Sequence, residues 1–70
     1  MRVRDFAIRD DMIRLSQLMK AAGLAGSGAE AKELVVAGDV RVNGVVETRR
    51  GRQLHRGDVV ALGDESVRVA

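Results

Sequence analysis

The chain has 70 residues, which limits it to a single domain, residues 1–70, and leaves little room for a deep substrate pocket. It contains no cysteine, which excludes disulfides and zinc–thiolate sites, while an apolar fraction of 46% is sufficient for a small folded core. Residues 41–56 hold five arginines against one glutamate, a net charge of +4, whereas the other 54 residues hold seven bases and nine acids, a net of −2. This concentration of positive charge is typical of a protein that binds a polyanion, although a solvated surface that binds nothing is the alternative.

The first 15 residues predict two extended segments joined by a turn. Val3, Phe6 and Ile8 supply apolar side chains to the first, and Asp10-Asp11 is typical of a turn. The second, residues 12–15, alternates apolar and polar side chains, which favours a strand.

Two short helices are predicted next. Ser16 is in the position of an N-cap ahead of strong helix formers at residues 17–22, and Gly23 follows where a positive φ is needed. Ser27 and Glu30 form an S-x-x-E capping box for the second helix, which has apolar residues at the i, i+3 and i+4 positions from Ala31. Gly38 ends this helix. The four residues between the helices predict a tight corner, so that the helices form a compact pair.

The remaining chain predicts strands. Asn43-Gly44 between two valine-rich segments, residues 40–42 and 45–47, predicts a hairpin with a type I′ turn, in which Val42 faces Val45 and Arg41 lies on the opposite face. Residues 48–56 predict an irregular basic loop, and residues 59–62 and 67–69 predict two further strands. The sequence therefore predicts an α+β fold, with two short helices packed on a small, mainly antiparallel β-sheet.

Basic side chains on neighbouring elements make up the predicted site. A lysine on each helix and the arginines of the hairpin and loop are expected to converge, because short connections keep such elements adjacent. Arginine suits phosphate because its planar guanidinium binds it in bidentate fashion, and the exposed N–H groups of a helix N-terminus attract anions. The predicted phosphate-contacting residues are Lys20, Lys32, Arg41, Arg49, Arg50 and Arg52, with Ser27 and Gly28 as a candidate phosphate anchor.

Residues 16–60 resemble the alpha-L RNA-binding motif, the domain first named after small-subunit ribosomal protein S-four. The similar segments are Leu-Met-Lys-Ala-Ala-Gly-Leu at 18–24, the helix and hairpin at 27–44, Glu-Thr-Arg-Arg-Gly-Arg at 47–52, and Leu54 with Gly-Asp-Val-Val at 57–60. The chain is similar in particular to small stand-alone bacterial members. The resemblance implies binding to structured RNA, often ribosomal, on an L-shaped surface formed by the two helices. Gly28 departs from the base that many members have there, whereas Lys32 matches a basic position of the family.

No motif indicates catalysis. The single histidine, His55, has no acid at ligand spacing, and no phosphate-binding or dinucleotide-binding loop is present. We therefore predict a protein that is not an enzyme and needs no cofactor, metal or small-molecule substrate. The longest apolar runs have four or five residues, far fewer than the roughly 20 of a membrane helix, and no secretory signal is present, which predicts a cytoplasmic protein without a membrane partner.

Two other classes of function remain open at the level of sequence. The first is a protein-interaction or carrier domain without catalytic activity. The hairpin and the Gly-Asp turn resemble those of ubiquitin-like sulfur carriers, but the chain ends Val-Arg-Val-Ala instead of Gly-Gly. A duplex DNA reader would use the helix pair, but the second helix presents Glu30 and Glu33 beside Lys32. The near absence of aromatic residues disfavours a single-strand binder that stacks bases.

Overall fold

The structure is a computed structural model that describes residues 2–70, with Arg2 described by its backbone alone. Met1, part of the first predicted extended segment, lies outside the described residues. The helices are α1 (Leu15–Ala21) and α2 (Gly28–Val36). The strands are β1 (Arg2–Phe6), β2 (Ile13–Arg14), β3 (Val40–Val42), β4 (Val45–Val46), β5 (Gln53–Leu54), β6 (Val59–Leu62) and β7 (Glu65–Val69).

Five strands form the main sheet, in the order β1-β7-β6-β3-β4, and β2 pairs with β5 in a separate two-stranded sheet. β1 runs parallel to β7, while all other described pairs are antiparallel. Two helices with a mainly antiparallel sheet confirm the predicted α+β class.

The core lies between one face of the main sheet and the two helices. Alternating valines of β3, β6 and β7 point to this face because side chains alternate along a strand. The helices contribute their apolar stripes from the other side. The fully buried apolar side chains are Leu15, Leu18, Met19, Ala31, Val35, Val40, Val42, Leu54, Val60, Val67 and Val69.

The second helix and the hairpin agree with the sequence. The Ser27 hydroxyl accepts a hydrogen bond from the Glu30 N–H at 3.1 Å, and Gly38 follows the helix at φ +82°. Asn43 and Gly44 have φ of +53° and +84°, the combination that a type I′ turn requires. Val42 lies opposite Val45 in the predicted register.

The first helix corrects the prediction. It begins at Leu15, so that Ser16 lies inside the helix and Arg14 is the N-cap. The Arg14 N–H donates to the Gln17 side chain at 3.1 Å, and the N–H groups of Leu15 and Ser16 donate to carbonyls of residues 52 and 50. A distant loop therefore satisfies the start of the helix, where the sequence suggested a serine side chain.

The segment predicted as an irregular loop, residues 48–56, also contains a strand. Gln53 pairs with Arg14 and Leu54 pairs with Ile13, which brings Leu54 into the core. The final strand is longer than predicted, since Glu65 already pairs with Leu62.

Candidate functional site

The arginine loop, which we define as residues 48–52 between β4 and β5, is fixed to the beginning of α1. The Leu15 N–H donates to the Arg52 carbonyl at 2.9 Å, and the Ser16 N–H donates to the Arg50 carbonyl at 3.1 Å. The Arg14 guanidinium donates to the Gly51 carbonyl at 3.0 Å. Because the first N–H groups of a helix have no partner within the helix, these bonds serve both elements. The loop thereby occupies a defined position beside the helix.

A buried carboxylate organises the arginine loop from within. Glu47 is only 6% exposed, and it follows the exposed edge strand β4. Its N–H donates to the Val40 carbonyl at 2.9 Å, so its main chain remains attached to the sheet. One side-chain oxygen accepts from the N–H and the Nε of Arg49, both at 3.1 Å. The other accepts from Arg49 at 3.3 Å and from Arg52 at 2.9 Å.

These contacts determine the charge state of Glu47. Hydrogen bonds from the side chain of Arg49, and then from Arg52, lower the pKa of the Glu47 carboxyl from 4.5 to about 2, against the opposing effect of burial. The hydrogen bond to Glu47 in turn raises the pKa of the Arg49 guanidinium above its ordinary value. Glu47 is therefore ionised at every pH near neutrality. From the sequence, Glu47 was not predicted to be a residue of the site. An acid at the end of a strand, two and five residues before arginines, was the available signal.

The three arginines of the loop differ in how far they are engaged. The side chain of Arg49 remains 76% exposed although it pairs with Glu47, and that of Arg52 is 31% exposed. Arg50 is exposed, and no hydrogen bond or salt bridge joins its side chain to any described residue. Arg49 and Arg52 also line a shallow surface groove with Gly51, Gln53 and His55. After pairing with one carboxylate, the loop retains a net charge of +2.

Lys20 lies on α1, the helix whose N-terminus holds the arginine loop. It is exposed in the last turn of the helix, four residues after Ser16. Residues at this spacing are neighbours on a helix, about 6 Å apart along its axis. Because the first N–H groups of a helix point along its axis, the bond from Ser16 to the Arg50 carbonyl places the loop at the N-terminal end of α1, and Lys20 lies about one turn further along the helix.

The second helix does not join this surface through any described contact. Lys32 is exposed and lies beside Ala29, Glu33 and Val36 along a shallow groove. Ser27 uses its hydroxyl oxygen to cap the helix. Gly28 is exposed at the first position of α2, but Glu30 adds a negative charge to the same turn.

Arg41 is also separate from the arginine loop. It is opposite Val46 and Ala61, on the sheet face that points away from the helices, and it is exposed. Val40, next to it in the chain, points into the core and lies beside Glu47. Arg41 therefore points to the sheet face opposite the core, because side chains alternate between the two faces of a strand, and its contact with RNA stays a prediction.

Arg14 is a residue of this surface that the sequence analysis did not select. It is exposed, and its guanidinium contacts the main chain of the loop at Gly51. Three other arginines also donate to main-chain carbonyls: Arg4 to Ala22 and Arg56 to Ile8, each at 2.8 Å, and Arg41 to Gly44 at 3.4 Å.

Among residues 2–70, no group of three or more histidine, aspartate or glutamate side chains is arranged to hold a metal ion. In the same part of the chain, neither helix has the length and apolar character needed to cross a membrane.

Comparison with known proteins now adds to this geometry. Residues 6–70 match the family model of the S4 domain. The chain belongs to the S4 domain family. This confirms the resemblance described from the sequence, since the S4 domain is the one named after ribosomal protein S-four.

Relatives of similar size match most of the chain. The chain is 39% identical over 57 residues to "Putative RNA-binding protein YbcJ" of Escherichia coli K12, covering 81% of each chain. It is 41% identical over 56 residues to "Probable ribosome maturation protein RlbA" of Bacillus subtilis, covering 80% of this chain and 79% of the relative. The solution structure of E. coli YbcJ superposes with a TM-score of 0.74 at 32% identity, covering all of this chain and 90% of that one. That structure is described as revealing an alpha-L motif involved in RNA binding.

Proposed function

We propose that this protein binds structured RNA and acts as a binding protein without catalytic activity. The observation that carries the proposal is the arrangement of the arginine loop, which is anchored on the N-terminus of α1 and exposes two arginines, in a chain of the S4 domain family. Two relatives are named for RNA binding and for ribosome maturation.

The proposed contact surface consists of Lys20, Arg49, Arg50 and Arg52, with Arg14 at its edge. Arginine recognises phosphate through a bidentate fork, and the shallow groove beside Arg49 suits an extended backbone better than a small molecule. Phe6 is the single aromatic side chain of the protein and is half-buried, which disfavours recognition by stacking on several bases. We infer that the protein reads the backbone and the shape of folded RNA. Lys32, Ser27 and Gly28 remain predicted contacts at the second helix, and Arg41 remains one on the opposite sheet face, outside the proposed surface.

The finer proposal is that the RNA is ribosomal and that the protein is cytoplasmic. We also propose that residues 1–70 act as one domain. The support is the name of the B. subtilis relative, together with a size close to that of both relatives. The carrier and duplex DNA alternatives lose their support, since the family and the helix pair ahead of the hairpin both favour an S4 domain.

The test compares two double variants that each remove two positive charges. Arg49→Ala with Arg50→Ala changes the arginine loop, whereas Arg41→Ala with Arg68→Ala changes the opposite sheet face. Binding to deproteinised ribosomal RNA, folded in magnesium, is measured by filter binding over a range of salt concentrations. If four to six phosphates are neutralised, the slope of log K against log salt is about −3 to −5 for the wild type.

The loop variant is expected to bind roughly 10- to 30-fold more weakly at 0.15 M salt, with a slope that is less steep by about 1.5, because two phosphate contacts are lost. The sheet variant is expected to stay within about threefold of the wild type, because charges there act only through screened solvent. Equal effects from the two variants would refute the assignment of the surface. Tighter binding to duplex DNA of the same length than to folded RNA would refute the proposed partner.

A further inference from the structure

We propose that Glu47 is a positioning residue for RNA binding: it holds Arg49 and Arg52 in the arrangement that receives phosphate, so that this acid strengthens the affinity for a polyanion. The inference depends on the proposed function, because it concerns the same surface. It assigns a role in binding to a negatively charged residue that has no expected contact with RNA.

The geometry supports positioning because both carboxylate oxygens are used. One oxygen receives the main-chain N–H and the Nε of Arg49, which fixes the backbone and the guanidinium of that residue together. The other receives Arg49 and Arg52, and thereby connects the two ends of the turn. Charge-assisted bonds are roughly twice as strong as neutral ones, and the Arg52 bond, at 2.9 Å, has the length typical of them.

Glu47 is buried, whereas its partner Arg49 is mostly exposed. A carboxylate that is 6% exposed needs its partners, because an isolated buried charge is costly. Arg49 nevertheless keeps most of its side chain exposed to solvent. The Arg49 guanidinium therefore uses one edge to bind Glu47, and the rest of the group remains available to a ligand.

Preorganisation predicts an effect on affinity. A long side chain that becomes ordered only on binding weakens affinity by roughly 2- to 12-fold, which is the usual cost of immobilising a flexible side chain. Glu47 orders two such side chains before RNA arrives. Its own negative charge opposes binding, and the removal of one charge at the surface tightens RNA binding by up to about fivefold at 0.15 M salt. The two explanations therefore predict opposite signs for the loss of this acid.

The experiment uses Glu47→Gln, with Glu65→Gln as the matched control. Both variants make the same chemical change and raise the net charge by one. Glu65 lies three strand spacings away, because Glu47 contacts Val40, which pairs with Leu62, which in turn pairs with Glu65. This separation is about 14 Å, longer than the screening length of about 8 Å at 0.15 M salt.

We expect Glu47→Gln to bind folded ribosomal RNA at least fivefold more weakly while keeping the salt slope of the wild type, because the same phosphates are contacted in the complex. Glu65→Gln should bind equally or slightly more tightly. Amide exchange of the Arg49 N–H should accelerate in Glu47→Gln alone, since that N–H donates to the carboxylate. Unchanged or tighter RNA binding by Glu47→Gln would overturn the inference.

Glu47→Asp keeps the net charge of the wild type and shortens the side chain, which separates geometry from charge and provides a second variant if Glu47→Gln does not fold. It is also expected to bind more weakly, and wild-type affinity in this variant would contradict positioning. The two proposals fail in distinguishable ways. If Arg49→Ala with Arg50→Ala leaves binding unchanged, the proposed surface is wrong. If that variant weakens binding but both Glu47 variants do not, only the role of Glu47 is wrong.

Discussion

The turn that leads towards Glu47 depends on Asn43, and replacing this residue tests how the hairpin is held. Asn43 has a φ of +53°, its side-chain N–H donates to Asp58 at 3.0 Å, and its side-chain oxygen accepts from the Val59 N–H at 2.9 Å. The side chain therefore joins the hairpin turn to the beginning of β6. Asn43→Ala and Asn43→Gly both remove this link, but only alanine retains a Cβ in the left-handed region.

The magnitude follows from the two contributions. Each exposed hydrogen bond contributes about 0.5–1.5 kcal/mol, so loss of the link costs about 1–3 kcal/mol in either variant. Alanine adds about 1 kcal/mol of left-handed strain, part of which glycine avoids although it increases the entropy of the unfolded chain. We expect Asn43→Ala to lower the free energy of unfolding by about 2–4 kcal/mol, and Asn43→Gly by about 1 kcal/mol less.

Urea denaturation followed by circular dichroism measures both values. In a domain of this size each kcal/mol lowers Tm by about 4–8 °C, so thermal melting gives an independent check. If glycine destabilises as much as alanine, left-handed strain at residue 43 is not a cause. If both variants stay within about 0.5 kcal/mol of the wild type, the side-chain link makes no contribution to stability.

Two further predictions concern stability. The folded pKa of Glu47, about 2, lies below the ordinary value of 4.5, so its stabilisation is complete above pH 4.5 and is lost as the pH falls through about 2. The difference between these two pKa values corresponds to at most about 3 kcal/mol, and solvent around the exposed Arg49 reduces that contribution. Glu47→Gln should therefore lower the free energy of unfolding by about 1–2 kcal/mol at pH 7, and by progressively less below pH 4.5, as measured by urea titrations. A constant difference between variant and wild type down to pH 2 would contradict this. Ser27→Ala should cost about 1 kcal/mol through loss of the cap on α2, and an RNA affinity within twofold of the wild type would show that its hydroxyl is a cap and not a phosphate anchor.

The elements that could be predicted from the sequence are those whose chemistry is local. Asn43 and Gly44 both tolerate positive φ, and a valine lies on each side of them. A hairpin turn is the structure that needs this combination. Ser27 and Glu30 are three residues apart, which is the reach of a capping bond. In each case all the atoms concerned lie within a few residues of one another.

The start of α1 and the strand β5 could not be predicted in the same way. Both depend on contacts between residues 13–16 and 50–54, which are far apart in the chain. Leu15 fits an alternating strand as well as the first turn of a helix. Only the carbonyls of the arginine loop, which satisfy the N–H groups of Leu15 and Ser16, decide between the two structures.

The net charge of a segment likewise does not predict which of its arginines are free to bind a ligand. A net charge counts every arginine equally, but the fold uses several guanidinium groups to bind its own oxygens. Arg56 binds the Ile8 carbonyl and Arg52 binds Glu47, whereas the side chain of Arg50 contacts no described residue by hydrogen bond or salt bridge. A basic segment therefore becomes a binding surface only when some of its charges are fixed and others remain available. Glu47 produces this difference among the arginines of the loop. Its negative charge lowers the net charge of the loop, and its hydrogen bonds fix the orientation of the Arg49 and Arg52 guanidinium groups.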